Sequence, residues 1–85
     1  MRLYHGMRVK LKSYDVVIMS NVGPYINRDM EGNFGKFVTV DKDLDQENDM
    51  YDGLFTIKED DINGWVYHKR WIRDIYTMPE ELFEM

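Results

Sequence analysis

Residues 7 to 12, Met-Arg-Val-Lys-Leu-Lys, alternate strictly, so Met7, Val9 and Leu11 share one face while Arg8, Lys10 and Lys12 share the other. A period of two at this length predicts a half-buried strand with a cationic outer face. A second strand is predicted over residues 35 to 40, where Phe37 and Thr39 fall on one side and Val38 and Val40 on the other, entered through Gly35. Leu54-Phe55-Thr56-Ile57-Lys58 predicts a third and Trp65-Val66-Tyr67-His68 a fourth. Between them Glu59 to Gly64 forms a turn whose Asn63-Gly64 pair tolerates the positive φ of a tight hairpin. Ile72 to Tyr76 predicts a short fifth strand, reached through a helical turn around Lys69 to Trp71.

The pattern is weaker between the first two strands. Asp15-Val16-Val17-Ile18-Met19 is apolar and β-branched and reads as one short strand in a long connection punctuated by Asn21, Gly23 and Pro24. Arg28 to Asn33 reads as one helical turn. At the other end, Thr77 as a cap, Pro79 in the first turn and Glu80 three residues on predict a short C-terminal helical turn. It either frays or docks Leu82 and Phe83 on the body of the fold or on a partner, with docking on the fold the favoured reading. Short strands at close spacing with polar turns define an all-β class, a small five-stranded barrel over residues 1 to 76, with residues 77 to 85 as a tail.

Composition narrows this picture. With 85 residues the chain is one domain close to the lower limit of what folds without staples, and it has no cysteine. A disulfide framework and a thiolate zinc site are therefore excluded. Two Trp, six Tyr and four Phe have to supply much of the core. Charged residues interrupt every apolar run near the N-terminus, and no stretch approaches the roughly 20 apolar residues of a membrane span, so a cytoplasmic protein without membrane contact is expected.

The net charge of -5 is unevenly spread. Residues 41 to 52 carry six acids, Asp41, Asp43, Asp45, Glu47, Asp49 and Asp52, against Lys42 alone. This long acidic loop between two strands is expected at the surface, where loops often carry function.

The order Gly6-x-x-Val9, Gly35-Lys36 with an apolar strand, Phe55-x-Ile57-x-Glu59-Asp60, Trp65-x-Tyr67 and a closing Trp71-Ile72 resembles a group of small phage and prophage proteins with SH3-like barrels. Tyr67 stands where a second Trp is usual in that group, and Phe55 where Tyr is common. The resemblance implies a five-stranded SH3-like barrel acting in the cytoplasm of the host cell. The acidic loop and the tail after Tyr76 look like elaborations on it. The group offers no catalytic residue to carry over, and a shared fold does not define an activity.

Four constellations could carry function. The acidic loop partly imitates an EF-hand, but Gln46 stands where the bend needs glycine and Asp52 where a bidentate Glu is required, so a solvated or partner-facing loop is the stronger reading than calcium binding. The aromatic set of Tyr51, Phe55, Trp65, Tyr67, Trp71 and Tyr76 either lines a peptide groove or fills the core; Phe55 and Trp65 are assigned to the core, Tyr67 and Trp71 to the outside. Arg8, Lys10, Lys12, Lys69, Arg70 and Arg73 form a candidate basic face, whose alternative is an ordinary soluble surface. His5 and His68 lie in no triad or metal-ligand spacing, and His68 reads as an exposed strand-end residue rather than a general base.

The expected function is that of a small phage-type accessory protein, not an enzyme and without a cofactor, that binds and inhibits a host protein such as a defence or nucleic-acid-handling factor. Asp43, Asp45, Glu47, Asp49, Tyr51, Tyr67 and Trp71 are the expected partner-binding residues. The alternative is a nucleic-acid-binding module using Arg8, Lys10, Lys12, Lys69, Arg70 and Arg73. Segregated charge also permits head-to-tail association of copies.

Overall fold

The computed structural model describes residues 2–21, 23–46, 52–60 and 64–77. Strand β1 spans Arg8–Leu11 and helix α1 Tyr14–Ser20; helix α2 spans Arg28–Glu31. Strand β2 runs over Phe37–Asp43, β3 over Leu54–Ile57, β4 over Val66–His68 and β5 over Ile72–Thr77. Short 3-10 turns at Leu44–Gln46, Lys58–Asp60 and Lys69–Trp71 follow β2, β3 and β4.

The strands form one antiparallel sheet in the order β4-β3-β2-β1-β5, with β4 and β5 at its two ends and no pairing between those two among the described residues. All five expected strands are present, and the turn at Lys69–Trp71 and the helical turn after Arg28 are as expected. Among the described residues no strand pairing closes the sheet into a barrel. Alternation does what the sequence implied: Val9 pairs with Val38, and both point inward with Met7, Leu11, Val40 and Ile57, all almost fully buried. Burying a side chain of this size contributes about 1.5–3 kcal/mol, so these inward rows supply much of the driving force.

One expectation is corrected. The segment 15–19 is a helix, not a strand. Ser13 stands at its N-cap in extended geometry, Asp15 lies in the first turn, and Asn21 ends it with φ 51°, its N–H reaching the Ile18 carbonyl. Helical winding lets Val17 alone face the core at 2 % exposure, whereas a strand would have aimed its three consecutive β-branched residues at both sides. Thr77 is the last residue of β5 and pairs with Arg8. The tail beyond it, with Leu82 and Phe83, lies outside the described residues. Asn63 also falls outside them; Gly64 has φ 67° and its N–H reaches the Asp60 carbonyl.

The long connection is tied to the sheet by aromatic packing. Phe34 lies 5.9 Å from Tyr14, 5.9 Å from Tyr67 and 5.5 Å from Trp71, the last edge to face. Trp71 is 1 % exposed and also receives the backbone of Gly23, where φ is 97° and an added Cβ would lie 2.7 Å from the indole. This contact places the turn after α1 against the end of the sheet.

Candidate functional site

The acidic segment is split by the fold. β2 extends through Asp43, whose side chain is 3 % exposed and pairs with the Lys69 ammonium at 3.0 Å. Asp43 also accepts the Leu3 N–H at 2.9 Å and the Asp45 N–H at 3.1 Å. It is an internal tie between the N-terminal segment, β2 and the turn after β4, so its expected role at a partner surface is corrected. Asp45 sits at the rim of the same pair, 3.3 Å from Lys69. Asp41 lies 3.4 Å from His5. Among the described residues no group of three His, Asp or Glu side chains is arranged to hold a metal ion. Glu47, Asp49 and Tyr51 lie outside the described residues.

The aromatic expectation is corrected as well. Tyr67 is fully buried and Trp71 nearly so, which leaves neither ring a surface to offer. The Tyr67 hydroxyl donates to Asp60 and accepts from the Asn33 side chain at 3.0 Å. Burial, with the Asp60 hydrogen bond, pushes its pKa well above that of an ordinary phenol. Phe55 is core as expected, and Trp65 packs partly buried against the core. Tyr76 is on the outside, two-thirds exposed.

Of the basic set, Lys69 is 10 % exposed and committed to Asp43 and Asp45, so it does not belong to an outer cationic face. Arg70 is exposed, and its backbone N–H is accepted by His68 Nδ1 at 3.1 Å. His68 is not the exposed histidine expected; partial burial and the neighbouring Arg70 lower its pKa. Arg73 stands 3.5 Å from Asp74. Arg8 donates to Thr39 and lies 3.9 Å from Glu59, while Lys10 reaches over the Phe37 ring at 5.5 Å.

The sequence reading missed a different surface. Tyr14, Val17, Ile18 and Asn21, at helical spacing along α1, line a shallow groove of about 330 Å³ with Gly23, Pro24 and Ile26. Of its lining residues Ile18 is 51 % exposed, and Tyr25, between Pro24 and Ile26, is 86 % exposed; Val16 at 51 % and Met19 at 84 % are exposed on the other side of α1. Interaction with the Glu31 carboxylate raises the Tyr14 pKa above the ordinary value. The signal was available in Ser13, Asp15 and Asn21, the start and stop marks of a helix. Once α1 is wound, its second apolar face has nowhere inside to go.

Comparison of the chain with protein-family models, with curated proteins and with solved structures gives no match. Among the described residues no helix is long and apolar enough to cross a membrane.

Proposed function

We propose that the chain is an SH3-like barrel that works by binding another protein, through the apolar surface of α1 and the turn that follows it. The order β4-β3-β2-β1-β5, the long β1–β2 connection and the 3-10 turn between β4 and β5 support the barrel reading. The observation that carries the binding reading is the exposure of Val16, Ile18, Met19 and Tyr25 on α1 and the turn after it, with a groove lined by Tyr14, Val17 and Ile18 along one side of the helix. Grouped exposed apolar side chains beside a depression are a usual mark of a protein contact, unlike single ones. Asp15, Asp29 and Glu31 nearby favour a partner segment with basic character, through charge complementarity. In its narrower form, suggested by the resemblance to phage and prophage proteins, the partner is a host protein and the outcome is inhibition.

The test is affinity retention from a cell lysate with immobilised wild type and the double variant Met19→Asp, Tyr25→Ser. Both side chains are more than four-fifths exposed, so the changes leave the core untouched. A protein retained by the wild type and lost with the variant is the expected result. An identical set of retained proteins from both would overturn the reading.

A further inference from the structure

We propose that the outer face of β1, β2 and β5 binds single-stranded nucleic acid, at a site distinct from the α1 groove. Lys10 pairs with Phe37 across β1 and β2 and Arg8 with Thr39, so these four side chains project on the same, outward side. Beside them, at the irregularity where the β1–β5 register shifts between Arg8 and Val9, Tyr76 places its ring 4.7 Å from Phe37. Two aromatic rings, 40 % and 66 % exposed, thus lie next to each other on a strand surface with cationic neighbours.

The charges on this face are not equal in availability. Arg8 is partly neutralised by Glu59 and Arg73 by Asp74. Lys10 and Lys12 have no ion-pair partner within 4 Å among the described residues. Lys10 rests on the Phe37 ring, a contact it can exchange for a phosphate at little cost because both groups are solvated. An exposed aromatic pair with Lys10 over one ring, and Lys12 next in the same alternation, is the arrangement single strands use, bases stacking on rings while ammonium groups follow the backbone. Asp74, paired with Lys10 across β1 and β5, is a carboxylate the bound strand has to accommodate there. Duplex DNA hides its base faces in the stack, so the rings select the single strand. The net charge of -5 works against long-range attraction of a polyanion. Binding is therefore weak and confined to this face.

Fluorescence anisotropy with a labelled oligothymidylate of about 15 nucleotides tests the site, with a duplex of equal length as the comparison. Two phosphate contacts give a slope near -1.4 in log affinity against log salt, so affinity should fall about 15-fold from about 20 mM to about 150 mM salt. Tyr76→Ala should weaken binding about tenfold, the scale of one stacked base, with unchanged circular dichroism. Lys10→Glu with Lys12→Glu should abolish it, and Met19→Asp with Tyr25→Ser should leave it intact. No binding of the single strand at low salt overturns the proposal. Equal affinity for the duplex, or indifference to Tyr76→Ala, overturns it too, because charge alone would then account for the signal.

Discussion

Asp43 and Lys69 form the pair whose disruption the geometry describes in most detail. Replacing Asp43 with Ala removes the acceptor of the Leu3 and Asp45 N–H groups and one of the two carboxylates beside Lys69. A buried donor left without a partner costs about 1–3 kcal/mol, and stranding one member of a buried ion pair about 3–5 kcal/mol. Asp45 remains 3.3 Å from the ammonium and relieves part of the second cost, so the expected loss is about 3 kcal/mol. Lys69→Met is the milder change. It leaves the Asp43 carboxylate with both backbone donors, and about 2 kcal/mol is expected, the worth of a hydrogen bond to a charged group. A domain of 85 residues has about 4–13 kcal/mol in total, so both variants can fold while losing a large share of their margin.

Urea denaturation followed by tryptophan fluorescence measures this, because Trp71 is 1 % exposed and sits on the same 3-10 turn as Lys69. The reasoning requires Asp43→Ala to cost more than Lys69→Met. If Lys69→Met proves equally or more destabilising, the ion pair rather than the two backbone N–H groups dominates, and the account of Asp43 as a backbone anchor fails. Charge reversal at Asp43 would set a second ammonium against Lys69, so loss of partner binding in such a variant would report loss of fold.

Two further outcomes are expected. Gly23→Ala drives a methyl to 2.7 Å from Trp71 and 2.9 Å from the His68 Cβ at φ 97°, and should lower the melting temperature by roughly 10–20 °C for a cost of about 2–3 kcal/mol; Gly32→Ala, with nothing within 4 Å, should change it little, and equal shifts would refute the close approach. His68 accepts a proton less readily in the fold than its unfolded value of 6.5, because burial and Arg70 disfavour the cation. The unfolded chain therefore binds more protons in that interval, so stability is full above about pH 6.5 and falls as pH drops toward the folded value. Protonation also removes the Nδ1 lone pair that accepts the Arg70 N–H. Urea midpoints from about pH 8 to about pH 5 should fall further for the wild type than for His68→Asn, and a smaller or reversed fall would contradict the assignment.

The strands were legible because each is an alternating or β-branched run whose inward row meets another. The Met7, Val9, Leu11 row and the Val38, Val40 row announce themselves by period alone. What period cannot supply is pairing between distant segments. Nothing near Asp43 in the chain identifies Lys69 as its partner, so a carboxylate inside the fold looked like part of a solvated acidic run. Tyr67 was misread for a related reason. One face of its strand had to lie outside, which suggested an outer position, yet Asp60 just before β4 and Asn33, 34 residues away, satisfy its hydroxyl in the interior. Helix α1 was lost to local propensity, since Val16, Val17 and Ile18 favour strands and the cap residues at its ends were not weighed against them.

The same long-range pairing moves the functional weight of the molecule. In the described part of the acidic segment Asp43 and Asp45 share Lys69 and Asp41 lies beside His5, which leaves Asp52 exposed. The apolar surface of α1 has no such internal use. Val17 already anchors the helix, and Phe34 and Gly23 already tie the connection to Trp71, so Met19 and Tyr25 add nothing to the core from where they stand. Replacing them with polar residues would remove exposed apolar area at no cost to packing. The proposed contact outside the chain would use this area, which makes α1 a better starting point for testing it than the acidic residues upstream of β3.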